Sequence, residues 1–305
     1  MTGIGAPRPD TIPIGEEAKP PFAVLPDPAT VFARRAERLT ELARGHDLAA
    51  YLSLLSALAL AQHRVQEGLA EPALPPQDVR DRAHQFAMPP LDRTRFAADA
   101  AFRTGLERLL ELLRAVAMPE PARTALDRVA WLDGSGRDAM MRAVLADAIP
   151  MAELAEHAYV AAALQVHFAR MAARLDAAAL VPVGDGACPV CGGPPVASLV
   201  VGWQGAHGTR FCACALCATL WNYVRIKCVL CGSTEGIGYQ EIAGGNGHVK
   251  AETCDKCRGY VKILQQHNDP ALEPVADDVA TLALDLLVRD AGFRRGAFNP
   301  FLLGY

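Results

Sequence analysis

The side chains best suited to chemistry are the cysteines. The chain holds nine, all between Cys188 and Cys257 of its 305 residues. Eight form four C-x-x-C pairs: Cys188/Cys191, Cys214/Cys217, Cys228/Cys231 and Cys254/Cys257. Two residues between cysteines let a tight turn aim both sulfurs at one cation. A glycine after the turn, Gly192 or Gly232, allows the required backbone angles. Two such turns joined by a hairpin complete a tetrahedral four-sulfur site. The spacers agree, with 22 residues between Cys191 and Cys214 and 22 between Cys231 and Cys254. Adding 40 to each position of the first set gives the second, so the segment is an internal duplication. Gly205 and Gly245 share that register, and Gly244-Gly245-Asn246-Gly247 reads as a hairpin tip. The repeat assigns Cys188, Cys191, Cys214 and Cys217 to one metal site and Cys228, Cys231, Cys254 and Cys257 to another. Four protein ligands close the coordination shell, which suits a structural or electron-storing site rather than a hydrolytic one.

Spacing alone does not choose between zinc and iron, since both accept four thiolates. Cys188-Pro189-Val190-Cys191 also fits a thioredoxin-like dithiol, but the Gly192-Gly193-Pro194-Pro195 that follows opposes the helix such a dithiol opens. Cys212 is the odd cysteine. The repeat puts Glu252 at its equivalent position, so Cys212 reads as a half-buried free thiol. His157 and His167 stand ten apart on one expected helix, which is not the spacing of a helical metal pair, and they read as satisfied polar residues. No Walker A, G-x-S-x-G or H-E-x-x-H sequence occurs. Asp277-Asp278 suits a helix N-terminus, and Arg34-Arg35 suits a solvated face.

Composition narrows the classes. With 51% hydrophobic and 21% charged residues, the chain has ample material for a core. Thirty Lys plus Arg against 34 Asp plus Glu leave a net charge of −4, without an overall field for nucleic acid or an anionic membrane. Across residues 181–267, seven basic residues (Arg210, Arg225, Lys227, Lys250, Lys256, Arg258, Lys262) face five acids (Asp185, Glu235, Glu241, Glu252, Asp255). That net +2 is too weak to neutralise many phosphates, so no nucleic-acid partner is expected. The N-terminus lacks a basic cluster followed by an apolar core. The longest weakly polar run, Leu48 to Ala61, falls short of the roughly 20 residues that span a bilayer. A cytoplasmic protein without membrane insertion is expected, where clustered cysteines suggest metal ligation more than disulfides.

The elements that must position the cysteines change character along the chain. Residues 1–26, rich in Pro and Gly, read as a flexible leader. Residues 27–180 read as an all-helical domain. Its expected helices open at Asp27-Pro28 and near Asp47, run from Phe96 to Met118, lie near 121–132 and 137–147, and follow Pro150. From Val181, Gly, Cys, Val, Thr and Tyr replace Ala, Leu and Arg, as expected for short strands and turns. Units over 181–227 and 228–268 follow, and 269–305 carries one amphipathic helix through Val279, Leu282, Leu286 and Leu287. The fold class is multidomain α+β: a helical N-terminal domain, two tandem rubredoxin-like (zinc-ribbon-like) metal-binding units and a C-terminal helix.

Together these features resemble the formate dehydrogenase accessory protein family, FdhE. The carrying segments are Arg34-Arg35-Ala36-Glu37-Arg38-Leu39, Cys188-Pro189-Val190-Cys191-Gly192, Arg225-Ile226-Lys227-Cys228, Lys250-Ala251-Glu252-Thr253-Cys254 and Asp277-Asp278-Val279-Ala280-Thr281-Leu282-Ala283-Leu284-Asp285. The resemblance runs from about Pro20 to Leu303 and does not extend to Cys212. It implies a cytoplasmic factor, not itself a dehydrogenase, needed for active respiratory formate dehydrogenase. It also implies that the partner is that enzyme's catalytic subunit, bound before export. Finally, it implies that the eight paired cysteines hold metal and that iron is favoured over zinc.

Overall fold

The computed structural model describes residues 20–302. Residues 1–19 of the expected leader lie outside the described residues. Its end is not loose, because Ala23–Val24 forms strand β1. The helical region follows as α1 (Val31–Leu42), α2 (Ala49–Arg64), α3 (Gln77–Gln85), α4 (Ala100–Arg114), α5 (Glu120–Trp131), α6 (Gly134–Leu145) and α7 (Leu154–Ala172). Six strands come next: β2 (Pro195–Val200), β3 (Arg210–Cys214), β4 (Leu220–Asn222), β5 (Ile237–Gln240), β6 (Val249–Cys254) and β7 (Gly259–Leu264). The chain closes with α8 (Pro274–Ala280), α9 (Leu282–Asp290) and β8 (Arg294–Arg295).

Helix α7 is the axis of the bundle. Most of its residues from Glu156 to Ala172 are buried, and its alanines let α2, α4, α5 and α6 pack closely around it. Helix α4 begins later than the apolar spacing suggests. Asp99 accepts the Phe102 N–H at 2.7 Å and fixes the start, leaving Phe96 in extended backbone before it. Helix α3 buries no residue, so it carries no apolar stripe by which sequence could reveal it.

The strands make one sheet in the order β1-β4-β3-β2-β7-β6-β5. Each repeat contributes an antiparallel meander, β2-β3-β4 and β5-β6-β7. The two meanders join through a short parallel pairing of Ser198 with Ile263 and Leu199 with Leu264. The bundle and the first meander share one continuous core, while Ala251, Tyr260, Leu284, Val288 and Phe293 make a small separate core under α9.

The end of the chain clasps its beginning. Glu273 caps α8 by accepting from Val275 N and Ala276 N, and its other oxygen takes Arg35 Nε at 3.0 Å. Arg38 forks onto Asp277. The solvated-face reading of Arg34-Arg35 therefore fails for Arg35, which is 3% exposed. Asp277 keeps the helix N-terminus role, accepting the Glu273 N–H at 2.7 Å, but Asp278 does not. Asp278 lies fully buried against Lys262, Arg295 and Asn299, and Lys262 and Arg295 also hold Asp285. The single C-terminal helix is two, broken at Thr281, where Lys262 Nζ donates to the carbonyls of Asp278 and Thr281.

Candidate metal centres

Each repeat supplies one site from the same elements. Cys188 and Cys191 lie in the loop before β2, Cys214 ends β3, and Cys217 sits in the β3–β4 turn. Forty residues on, Cys228 and Cys231 precede β5, Cys254 ends β6, and Cys257 sits in the β6–β7 turn. In each first turn a backbone pair closes the loop. Gly192 N donates to Cys188 O at 2.8 Å and Cys188 N to Gly193 O at 2.9 Å. Gly232 N donates to Cys228 O at 2.9 Å and Cys228 N to Ser233 O at 2.8 Å.

All four turns end the same way. The residue after the second cysteine is left-handed: Gly192 at φ 73°, Ala218 at 59°, Gly232 at 71° and Arg258 at 55°. Glycine meets this need in two turns. Alanine and arginine meet it under strain in the others, which is why glycine spacing revealed only half of the pattern.

The sulfurs meet in two groups of four, each with all ligand atoms within 4.8 Å of one another. In the first, Cys188 Sγ lies 3.6 Å from Cys217 Sγ and Cys191 Sγ 3.4 Å from Cys214 Sγ. In the second, Cys228 and Cys257 are 3.8 Å apart and Cys231 and Cys254 3.7 Å. A tetrahedral cation with metal–sulfur bonds of about 2.3 Å spaces its ligands about 3.8 Å apart. Disulfides need about 2.05 Å, and all nine cysteines are free. The donor chemistry agrees. Burial pushes the Cys188 and Cys191 thiols well up and the Cys228 thiol up to about 12, so four ionised sulfurs together call for a cation. Both sets can hold a metal ion, and zinc and iron fit equally well.

The two sites differ in their surroundings. The first is sealed, with Cys188, Cys191 and Cys217 at 0% exposure and Cys214 at 3%. The bundle holds its turns directly. Leu91 N donates to Val190 O, Arg93 N to Cys191 O, and Gln165 Nε2 to Ala215 O at 2.8 Å. The Arg93 guanidinium is half-buried there. Burial would depress its pKa, but Asp147 and the Cys191 and Cys214 sulfurs hold it above its usual value. Nothing in the sequence flags Arg93, which lies far upstream of the cysteines. In the second site Cys231 is exposed and Cys257 half-exposed, and the backbone N–H groups of Leu230, Cys231, Lys256 and Cys257 face the sulfurs.

Cys212 belongs to neither group. It is fully buried on β3, 3.6 Å from Ser198 Oγ, and burial raises its thiol. Its repeat equivalent, Glu252, forms a buried pair with Arg210 at 2.9 Å. His157 Nδ1 donates to Glu153 O at 2.7 Å, but the buried Nε2 of His167 has no hydrogen-bond partner among the described residues, with Asp99 Oδ2 standing 3.7 Å away.

Fold and sites define a class: a helical bundle built onto a duplicated four-cysteine module. The FdhE N-terminal domain matches residues 20–185, the FdhE central domain 187–225, and the FdhE C-terminal domain 226–302. A "Protein FdhE homolog" of Rhizobium meliloti is 45% identical over 300 residues, covering 98% of each chain. Another, of Stutzerimonas stutzeri, is 38% identical and covers 93% of each. The crystal structure of the FdhE protein from Pseudomonas aeruginosa superposes with a TM-score of 0.81 at 32% identity, over 93% of this chain and 99% of that one. The chain belongs to the FdhE family. Among the described residues, no helix is long and apolar enough to cross a membrane.

Proposed function

We propose that this chain is a cytoplasmic accessory protein for assembly or activation of respiratory formate dehydrogenase, and that it binds the catalytic subunit before export. Full-length membership of the FdhE family carries the reading, since the match spans the bundle, both cysteine sets and the C-terminal clasp. Cys188, Cys191, Cys214 and Cys217 ligate one metal, and Cys228, Cys231, Cys254 and Cys257 the other; the family resemblance favours iron over zinc. When bound, each metal ties two turns together and stabilises its meander. The closed four-sulfur sets suit holding a shape or storing an electron, and the chain acts without catalysing the dehydrogenation itself.

The helical domain over 27–180 and the units over 181–227 and 228–268 supply one interaction surface. The core that the bundle shares with the first meander supports that reading. The test is affinity capture of tagged protein from anaerobic cells grown with formate. Recovery of the catalytic subunit is expected, and repeated capture without it would overturn the proposal.

A further inference from the structure

The duplication provides an internal comparison, since two copies of one ligand set sit in different surroundings. In the first, every sulfur is sealed and both turns are hydrogen-bonded to the bundle. In the second, Cys228 and Cys254 are 4% and 1% exposed, while Cys231 is open to solvent and Cys257 partly so. The second turn of this site is fastened, because Arg294 N donates to Arg258 O and Arg258 reaches the carbonyls of Ala291 and Gly292. The first turn has its own closing bonds and one from Tyr223 Oη to Cys228 O, but among the described residues it receives no hydrogen bond from the bundle at Cys231. An incoming ligand therefore approaches at Cys231. On the chain leading into the site, Val224 and Ile226, four and two residues before Cys228, are 62% and 63% exposed. Strand β5, paired with β6 at Ile237 and Cys254, is the outer edge of the sheet beside the same site.

We infer that the two sites have divided their work. The first is a permanent staple between bundle and sheet. The second is a ligand-exchange site, at which a partner's thiol replaces Cys231 on the metal. The incoming donor is sulfur because the three remaining ligands are thiolates, and a metal chosen by soft ligands retains a soft fourth one. In the exchange, the metal–sulfur bond to Cys231 breaks and a bond to the partner's sulfur forms. The proton of the incoming thiol passes to Cys231, and no electron is transferred. The β5 edge, paired at Cys254, gives the partner's chain a main-chain surface beside the site, and the exposed Val224 and Ile226 lie on the segment that leads into Cys228. The inference rests on both sets being metal sites.

The experiment uses the full-length, metal-loaded protein under anaerobic conditions, with glutathione as the probe thiol. Native mass spectrometry first counts metals. Fewer than two per chain would remove the underlying metal assignment and is separable from failure of the exchange idea. With two bound, a pulse of iodoacetamide and peptide mapping should label Cys231 roughly tenfold or more faster than any cysteine of the first site. Glutathione should add once per chain, at the intact mass rather than the lighter mass of a mixed disulfide, with both metals retained. Cys231→Ser should take up glutathione more readily than the wild type, since the displaced ligand is already weakened. Equal labelling of the two sets, addition at the first site, or no adduct in either protein would overturn the proposal.

Discussion

His167 offers a sharp test of the packing. Its ring sits among Phe96, Phe102 and Phe168, with centroids 5.1, 5.8 and 6.3 Å away. The side chain is 4% exposed, and Asp99 Oδ2 stands 3.7 Å from Nε2. Burial pulls the imidazole down to about 4, and Asp99 only partly opposes it. In the unfolded chain the ring titrates near 6.5. Between those values the unfolded state binds a proton that the native state refuses, so stability falls as the pH drops through the window. Two-state linkage gives a loss of about 2 kcal/mol at about pH 5 relative to neutral pH. The perturbation is His167→Gln, which keeps a polar side chain and removes the titration, with His167→Leu as a second variant. The assay is urea unfolding followed by the helical circular dichroism signal at about pH 5 and about pH 7.5. Acid weakens thiolate–metal bonds in all three proteins, so the informative quantity is the difference in pH dependence. Both variants should lose less stability on acidification than the wild type, by about 2 kcal/mol. Equal pH dependence in the three would refute a neutral, desolvated His167.

Other expectations follow from the same contacts. Replacing Cys228 and Cys231 together by Ser should release one metal and melt the second meander before the bundle, as read by metal analysis and hydrogen exchange; full metal retention would contradict the ligand assignment. Lys262→Met should cost about 3–5 kcal/mol in urea unfolding, because it leaves Asp278 and Asp285 buried with Arg295 as their one remaining cation. Acid should weaken the same network. Burial would raise the Asp278 carboxyl, but Arg295 and Lys262 hold it below its usual value. Its stabilisation is therefore present above about pH 4, and a melting series should show it lost below that. Ala218→Gly should raise stability by roughly 0.5–1 kcal/mol, since relief of the left-handed strain exceeds glycine's added chain entropy; a lower melting temperature would argue against strain at that turn.

The gathering of eight cysteines into two clusters of four was legible in sequence because a C-x-x-C turn is local and its duplication leaves a fixed offset. The left-handed Ala218 and Arg258 were not, since neither residue type advertises the conformation. The bundle was legible where apolar spacing was strong, as in α4 and α7. Helix α3 has no such stripe, and the break at Thr281 coincides with a tertiary contact, Lys262 reaching the Thr281 carbonyl from β7. The segments around Arg35 and Asp277 stood out as family signatures, yet their local chemistry suggested a solvated face and a helix cap. Only the fold shows that each is the other's partner. Arg93 likewise acquires its place beside Cys191 and Cys214 through tertiary contact alone.

The clasp between α1 and α8 also sets a timetable. Arg35 and Glu273 are 238 residues apart, and at roughly 5–20 residues per second a ribosome needs on the order of ten seconds or more to make the intervening chain. Throughout that interval the first helix lacks its counter-charge, and both cysteine sets emerge before it arrives. The bundle is thus locked by a segment synthesised after both cysteine sets. A nascent chain presents all eight paired cysteines while the clasp over its first helix is still open.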